Sequence, residues 1–159
     1  TVWGLGVEDR PFVYWGLLLY RLEPDALRTV TGRLRIPRPE ARDLDRLPDL
    51  RRDLDLLPTL QQPSRIYRLL EPYPTRVLAV GWVADRRARV RARLLAFQTR
   101  YRHVTPILTG EDLKAMGLRP GPLFGQLLSA LRDARLDGRI TTREEEEALV
   151  RAMTERSTE

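Results

Sequence analysis

The sequence predicts an all-α protein: an irregular bundle of about seven to nine short helices ending in a helix–corner–helix tail. Three observations carry this. Apolar residues recur at three- and four-residue steps, as in Leu44, Leu47, Leu50, Leu54 and Leu57, which is the spacing of one helix face. Twelve prolines punctuate the pattern. Strand-like alternation is confined to short pieces.

In chain order, Pro11 stands where a first helical turn begins, with Asp9 placed to cap it. The helix from Pro11 to Leu22 is apolar on nearly all sides, which predicts burial. Glu23-Pro24-Asp25 starts a second helix that fades at Gly32. From Pro37 to Leu57 one leucine stripe runs with alternating charge outside it, interrupted or kinked at Pro48. Asp43-x-Asp45 and Asp53-x-Asp55 look like metal pairs. On a helix, i and i+2 point about 200° apart, so they read as solvated salt-bridging positions. Pro63 to Leu70 is a short helix, Pro72-x-Pro74 a rigid corner, and Thr75 to Ala84 a further apolar helix with Leu78 and Trp82 on one face.

Arg86 to Arg102 holds seven arginines and no acid. Placed on a helix, Val90, Leu94, Phe97 and Tyr101 form one stripe. Arg86, Arg89, Arg93 and Arg100 flank it on one side; Arg87, Arg91 and Arg102 flank it on the other. Ala88, Ala92 and Ala96 lie opposite, small enough for a helix or an RNA backbone to approach. Two readings stand side by side. One is a phosphate-tracking edge; the other is an amphipathic helix whose arginines cover its core seam and pair with acids elsewhere.

The last third is dense in helix punctuation. Thr109 and Asp112 form a capping box, and Gly117 is a left-handed stop. Pro122 opens a helix that buries Leu123, Leu127, Leu128 and Leu131 and ends near Asp137-Gly138. Thr141 or Thr142 caps a last helix whose first turn holds Glu144 to Glu147, read as a solvated match to the helix dipole that also repels phosphate. The Arg119-to-Gly125 corner could grip a phosphate through Arg119 and the backbone around Gly121, as a helix-hairpin-helix does. Equally, Gly121 and Gly125 could only let two helices pack closely, a reading slightly favoured because glycine serves both ends.

Composition bounds function. The chain has 159 residues, enough for one domain or two small ones; we read a helical body at 1–104 and a tail at 105–159, with one continuous domain as the alternative. No apolar run reaches the roughly 18 residues of a membrane span, and Val13 to Tyr20 lacks a cleavage site, so a cytoplasmic protein is expected. Cysteine is absent, which excludes disulfides and thiolate zinc sites. A lone histidine, His103, argues against a histidine metal site or a Ser-His-Asp arrangement. Net charge is +6, and of 28 basic residues only Lys114 is not arginine. That favours a polyanion partner, though a GC-rich genome or heat adaptation also supplies arginine.

The string Thr109-Gly110-x-Asp112-Leu113, Gly117-Leu118-x-Pro120-Gly121-Pro122, Leu136-Asp137-Gly138-x-Ile140-Thr141-Thr142-Arg143-Glu144-Glu145 resembles the C-terminal end of the bacterial tRNA nucleotidyltransferase/poly(A) polymerase family. A weaker likeness extends back through Pro63-Ser64-x-Ile66-Tyr67-x-Leu69-Leu70 to Arg102. The resemblance implies the body and tail of such an enzyme, a non-catalytic region that holds the acceptor stem and stacked arm of tRNA. It implies no catalytic residues and no metal in this region. Magnesium and nucleoside triphosphate belong to a catalytic head, whose Gly-Ser or Gly-Gly turn and carboxylate pair are not found in this sequence. The family's Glu-Asp-x-x-Arg motif is not met either, because Glu8-Asp9-Arg10 has the wrong spacing. Thr1 is not a start methionine, so the chain reads as an excised C-terminal fragment, with a stand-alone domain bearing a trimmed tag as the alternative.

The expected partners are the tRNA backbone and the catalytic head of the same polypeptide, with self-association left open. The expected RNA-binding residues are Arg86, Arg87, Arg89, Arg93, Arg100, Arg119 and Gly121. The rival functions are a helix-hairpin-helix DNA-binding module and a helical protein-interaction domain.

Overall fold

The computed structural model describes residues 2–156 and is all-helical over them. The α-helices are α1 (Arg10–Leu19), α2 (Pro24–Arg33), α3 (Arg38–Leu44), α4 (Leu47–Leu56), α5 (Pro63–Leu70), α6 (Thr75–Ala84), α7 (Ala88–Thr99), α8 (Gly110–Ala115), α9 (Pro122–Leu136) and α10 (Arg143–Arg156). Single 3-10 turns follow α4 (Leu57–Thr59) and α7 (Tyr101–His103). The leucine stripe is two helices rather than one kinked helix. The break falls at Asp45-Arg46, and Pro48 sits in the first turn of α4, where its missing N–H costs nothing.

The chain forms two compact units, Thr1–Gln61 with Arg65–Arg102 and Gln62–Ser64 with His103–Glu159. In the first unit α6 is the hub, in contact with α1, α4 and α7. Val77, Leu78, Ala79, Val80 and Gly81 are all buried, which explains why its sequence is apolar on several faces. Two glycines set the approach of its neighbours. A Cβ on Gly16 of α1 would lie 2.6 Å from Val80 Cγ2, and one on Gly81 would lie 2.8 Å from Leu50 Cδ2 of α4. Leu44, Leu47, Leu50, Leu54, Leu57, Leu70, Val90 and Leu94 complete the core, each fully buried. A leucine in such a place contributes about 1.5–3 kcal/mol.

Helix α1 departs from expectation. Its Phe12, Gly16 and Leu19 are buried, but Tyr14 and Leu18, one turn apart, are 71% and 72% exposed. An apolar sequence on all sides therefore leaves a bare apolar face here. Asp9 does not cap the helix; its carboxylate accepts the Gly6 N–H at 3.1 Å instead. Helix α2 runs just past Gly32, and the left-handed residue that closes it is Arg35 (φ 51°), whose N–H reaches the Gly32 carbonyl while Ile36 N–H reaches that of Thr31.

The second unit is built around Leu108, Leu113, Leu127, Leu131 and Val150. Its helix ends follow the sequence closely. The Thr109–Asp112 capping box is formed in both directions. Gly117 (φ 86°) closes α8 with N–H bonds from Gly117 to Lys114 and from Leu118 to Leu113, the Schellman pattern. Gly138 (φ 70°) closes α9 the same way, with Arg139 N–H on the Ala134 carbonyl. Thr142 caps α10: its hydroxyl accepts the Glu145 N–H at 3.3 Å, and the Glu145 carboxylate accepts the Thr142 N–H at 3.0 Å.

The glutamate run in α10 is not a uniformly solvated cap. Glu146 is fully buried. Its carboxylate accepts the N–H groups of Ile107 (3.0 Å) and Leu108 (2.8 Å) and pairs with Arg135 at 3.0 Å. One carboxylate thereby ties the loop before α8 to α9 and α10. Glu147 pairs with Arg143 and Arg151, both at 3.3 Å. Ser64, grouped with this unit, donates from its N–H (2.9 Å) and its hydroxyl (2.8 Å) to the Asp137 carboxylate.

Candidate nucleic-acid interface

Helix α7 buries Val90, Leu94 and Phe97, as its stripe predicts, but it is shorter than the Arg86–Arg102 segment placed on a helix from sequence. Only Arg89, Arg91 and Arg93 lie on it, while Arg86 and Arg87 precede it and Arg100 and Arg102 follow it. The two flanks named from sequence are therefore groups of residues in and around the helix. The two sides differ in what they do. On one side every arginine is engaged. Arg87 holds Asp85 at 2.6 Å and Asp55 at 2.8 Å. Arg91 lies over the Trp82 ring, 4.3 Å from its centroid. Arg102 donates to the Thr75 hydroxyl at 2.8 Å and also to Gln98. On the other side only Arg93 is engaged: it is half-buried and donates to the Leu57 carbonyl. Arg86, Arg89 and Arg100 are exposed, and no carboxylate pairs with any of them among the described residues. Ala88 and Ala92 beside them are exposed too.

The electrostatics follow that division. The Asp85 hydrogen bonds raise the Arg87 pKa, locking its charge into the fold. Burial pushes Asp85 up, but the Arg87 hydrogen bonds and charge outweigh it and leave the carboxyl below its ordinary value. Desolvation lowers Arg93, and the neighbouring Arg89 charge adds to this. Of the arginines named from sequence in this segment, then, Arg87 and Arg93 are bound to protein groups. Arg86, Arg89 and Arg100 make no side-chain hydrogen bond or ion pair among the described residues.

In the second unit Arg119 is exposed, with no carboxylate partner among the described residues. Gly121 precedes α9 in an extended conformation (φ 170°), and Pro122 is the first helical residue. A Cβ on Gly121 or Gly125 would meet nothing within 4 Å. These glycines do not serve close helix packing in the chain, so the slightly favoured structural reading of the corner does not hold. The close-packing glycines are Gly16 and Gly81, whose role only long-range contacts reveal. The first turn of α9 holds no acid and no side-chain cap.

Three of the four paired aspartates are bonded to side chains, and Asp45 is exposed. Asp43 pairs with Arg76 at 2.7 Å and is only 16% exposed, so it is not a solvated position. Asp53 accepts the Tyr73 hydroxyl at 2.7 Å, and burial together with that bond pushes the phenol above its ordinary value. No group of three or more His, Cys, Asp or Glu able to hold a metal occurs among the described residues. His103 is exposed. No helix is long and apolar enough to cross a membrane, among the described residues.

Over 83 residues, 52% of its length, the chain is 32% identical to the A-adding tRNA nucleotidyltransferase of Geobacter sulfurreducens. The matched stretch is 9% of that relative's length, so the match spans a small part of that longer protein. No protein-family model matches the chain. No solved structure matches it either.

Proposed function

We propose that this chain is a non-catalytic, RNA-holding helical region of a tRNA nucleotidyltransferase, positioning the acceptor stem and stacked arm of tRNA while a catalytic head acts on the 3′ end. The observation that carries this is the 32% identity over 83 residues to an A-adding enzyme. It is supported by an all-helical fold and by three exposed arginines in and around α7 with no carboxylate partner among the described residues, suited to a phosphate backbone read by shape rather than by base edges. Magnesium and nucleoside triphosphate would be held elsewhere in the full enzyme. The carboxylates Asp43, Asp53 and Asp55 are each bonded to a side chain of this unit and do not fit a magnesium site. The test is a gel shift with tRNA and an unrelated RNA duplex of equal length. Tighter binding of tRNA, with no nucleotide added by this chain alone, is the expected result; equal binding of the two RNAs would contradict it, and preference for duplex DNA would favour a helix-hairpin-helix DNA module.

One observation favours a second reading, a protein-contact face. Tyr14 and Leu18 stand exposed on α1, and an open groove of about 410 Å³ beside Tyr14 is walled by Trp3, Val13 and Trp82. On that reading Leu18→Glu abolishes a self-association or protein contact measurable by sedimentation and leaves tRNA binding intact.

A further inference from the structure

A second arginine cluster lies in the first unit, between the end of α1 and the corner joining α6 to α7. A cleft of about 530 Å³ there is walled by Tyr20, Arg21, Arg51, Asp85, Arg86 and Arg87. Four arginines and one aspartate are among its lining residues. The aspartate, Asp85, is only 7% exposed and already bonded to Arg87. Arg51 is fixed as well: it pairs with Glu23 at 2.6 Å and donates to the Tyr20 carbonyl at 3.1 Å. Arg87 also reaches Asp55. Arg21 and Arg86 are different. Both are exposed, and among the described residues neither has an ion pair or a hydrogen bond from its side chain. Arg21 and Arg86 thus bring two unpaired positive charges to the lining of one cleft, which favours an anion there.

We propose that this cleft is a phosphate subsite, in which Arg21 and Arg86 grip the backbone phosphate of a bound RNA strand while Arg51 and Arg87, held by their carboxylates, shape its walls. The arginine fork matches the paired non-bridging oxygens of a phosphodiester. The assignment rests on the RNA-holding reading above and adds to it a place of contact and a residue, Arg21, that lies far from the arginine helix in sequence.

The test compares two double variants of the full chain with equal loss of charge, Arg21→Gln/Arg86→Gln and Arg33→Gln/Arg38→Gln. All four residues are exposed and none has a carboxylate partner among the described residues, so circular dichroism melts of both variants are expected to overlay on the wild type. Binding to tRNA is measured by fluorescence anisotropy across a salt series. The cleft variant is expected to lose about tenfold or more in affinity and to reduce the salt slope by about 1, the value for one phosphate, with a smaller change in the control. Equal losses in the two variants overturn the subsite and leave the RNA-holding reading standing. A wild type that fails to bind tRNA sinks that reading and the subsite with it. Titration with inorganic phosphate separates the sources of the anion: saturable phosphate binding lost in the cleft variant, with tRNA binding unchanged, assigns the cleft to a free anion and overturns the strand contact.

Discussion

The two units solve the same problem, many short helices in a small volume, by different means. The second is held at its helix ends. Capping boxes open α8 and α10, glycines in the left-handed conformation close α8 and α9, and one buried carboxylate ties the loop to the helices. The first is held by side-chain interlock around α6, with glycines where helices approach and arginines reaching across to carbonyls, rings and acids. It even closes α2 on Arg35 rather than on glycine. The difference teaches where an arginine is free to act. In the first unit the arginines left over after the structural pairing are the ones available to a ligand, and they cannot be told from the others by composition.

The largest effect is expected from Glu146→Ala. It leaves the Arg135 charge and the Ile107 and Leu108 N–H groups without their shared acceptor, which costs about 3–5 kcal/mol, read as a drop in the urea midpoint. If the second unit relies on its helix ends alone, that drop will be small. Next is Gly16→Leu in the first unit. The added side chain meets Val80 and is expected to destabilise by about 1–3 kcal/mol, whereas Gly121→Ala stays within about 0.5 kcal/mol. Equal effects at the two glycines would erase the contrast between interlock and open corner.

Cap removal comes third. Thr109→Ala is expected to cost about 1 kcal/mol. The Thr109 hydroxyl and the Arg143 guanidinium hold the Asp112 carboxyl well below the usual carboxylate range. Because its folded pKa is depressed, the contribution is fully present above the unfolded value near pH 3.9 and is lost as pH falls below it. Thermal melts between about pH 5 and pH 2 should therefore show a steeper acid loss in wild type than in Asp112→Asn. The smallest effect runs the other way. Arg35→Gly removes a side chain from a left-handed position and is expected to stabilise the first unit by a few tenths of a kcal/mol to about 1.

This contrast also decides how much was legible in the sequence. The punctuation of the second unit is local, so Thr109, Gly117, Pro122 and Gly138 could be assigned from spacing alone, as could the bounds of α5 and α6. Glu146 could not. Its three acidic neighbours share its composition, and only the fold brings Ile107, Leu108 and Arg135 to it. The exposed face of α1 was hidden for a related reason: a helix apolar all round predicts burial, yet Tyr14 and Leu18 are left uncovered by this chain. The arginine face of α7 was half legible. Helix geometry placed Arg89, Arg91 and Arg93, but Arg86, Arg87, Arg100 and Arg102 fall outside the helix. The commitment of Arg87 and Arg93 depends on Asp55, Asp85 and Leu57, of which Asp55 and Leu57 lie more than thirty positions away. Arg21 carried no signal, since nothing near it in sequence points to Arg86.

The central claim is that the unpaired arginines in and around α7 hold an RNA backbone, and the salt dependence of tRNA affinity tests it most directly. For wild type and Arg89→Gln/Arg100→Gln, anisotropy titrations between about 50 mM and 200 mM salt give two slopes of log affinity against log salt. The account predicts a wild-type slope that is clearly negative and a variant slope shallower by about 1 to 2, with stability unchanged. Parallel lines of equal affinity would contradict it.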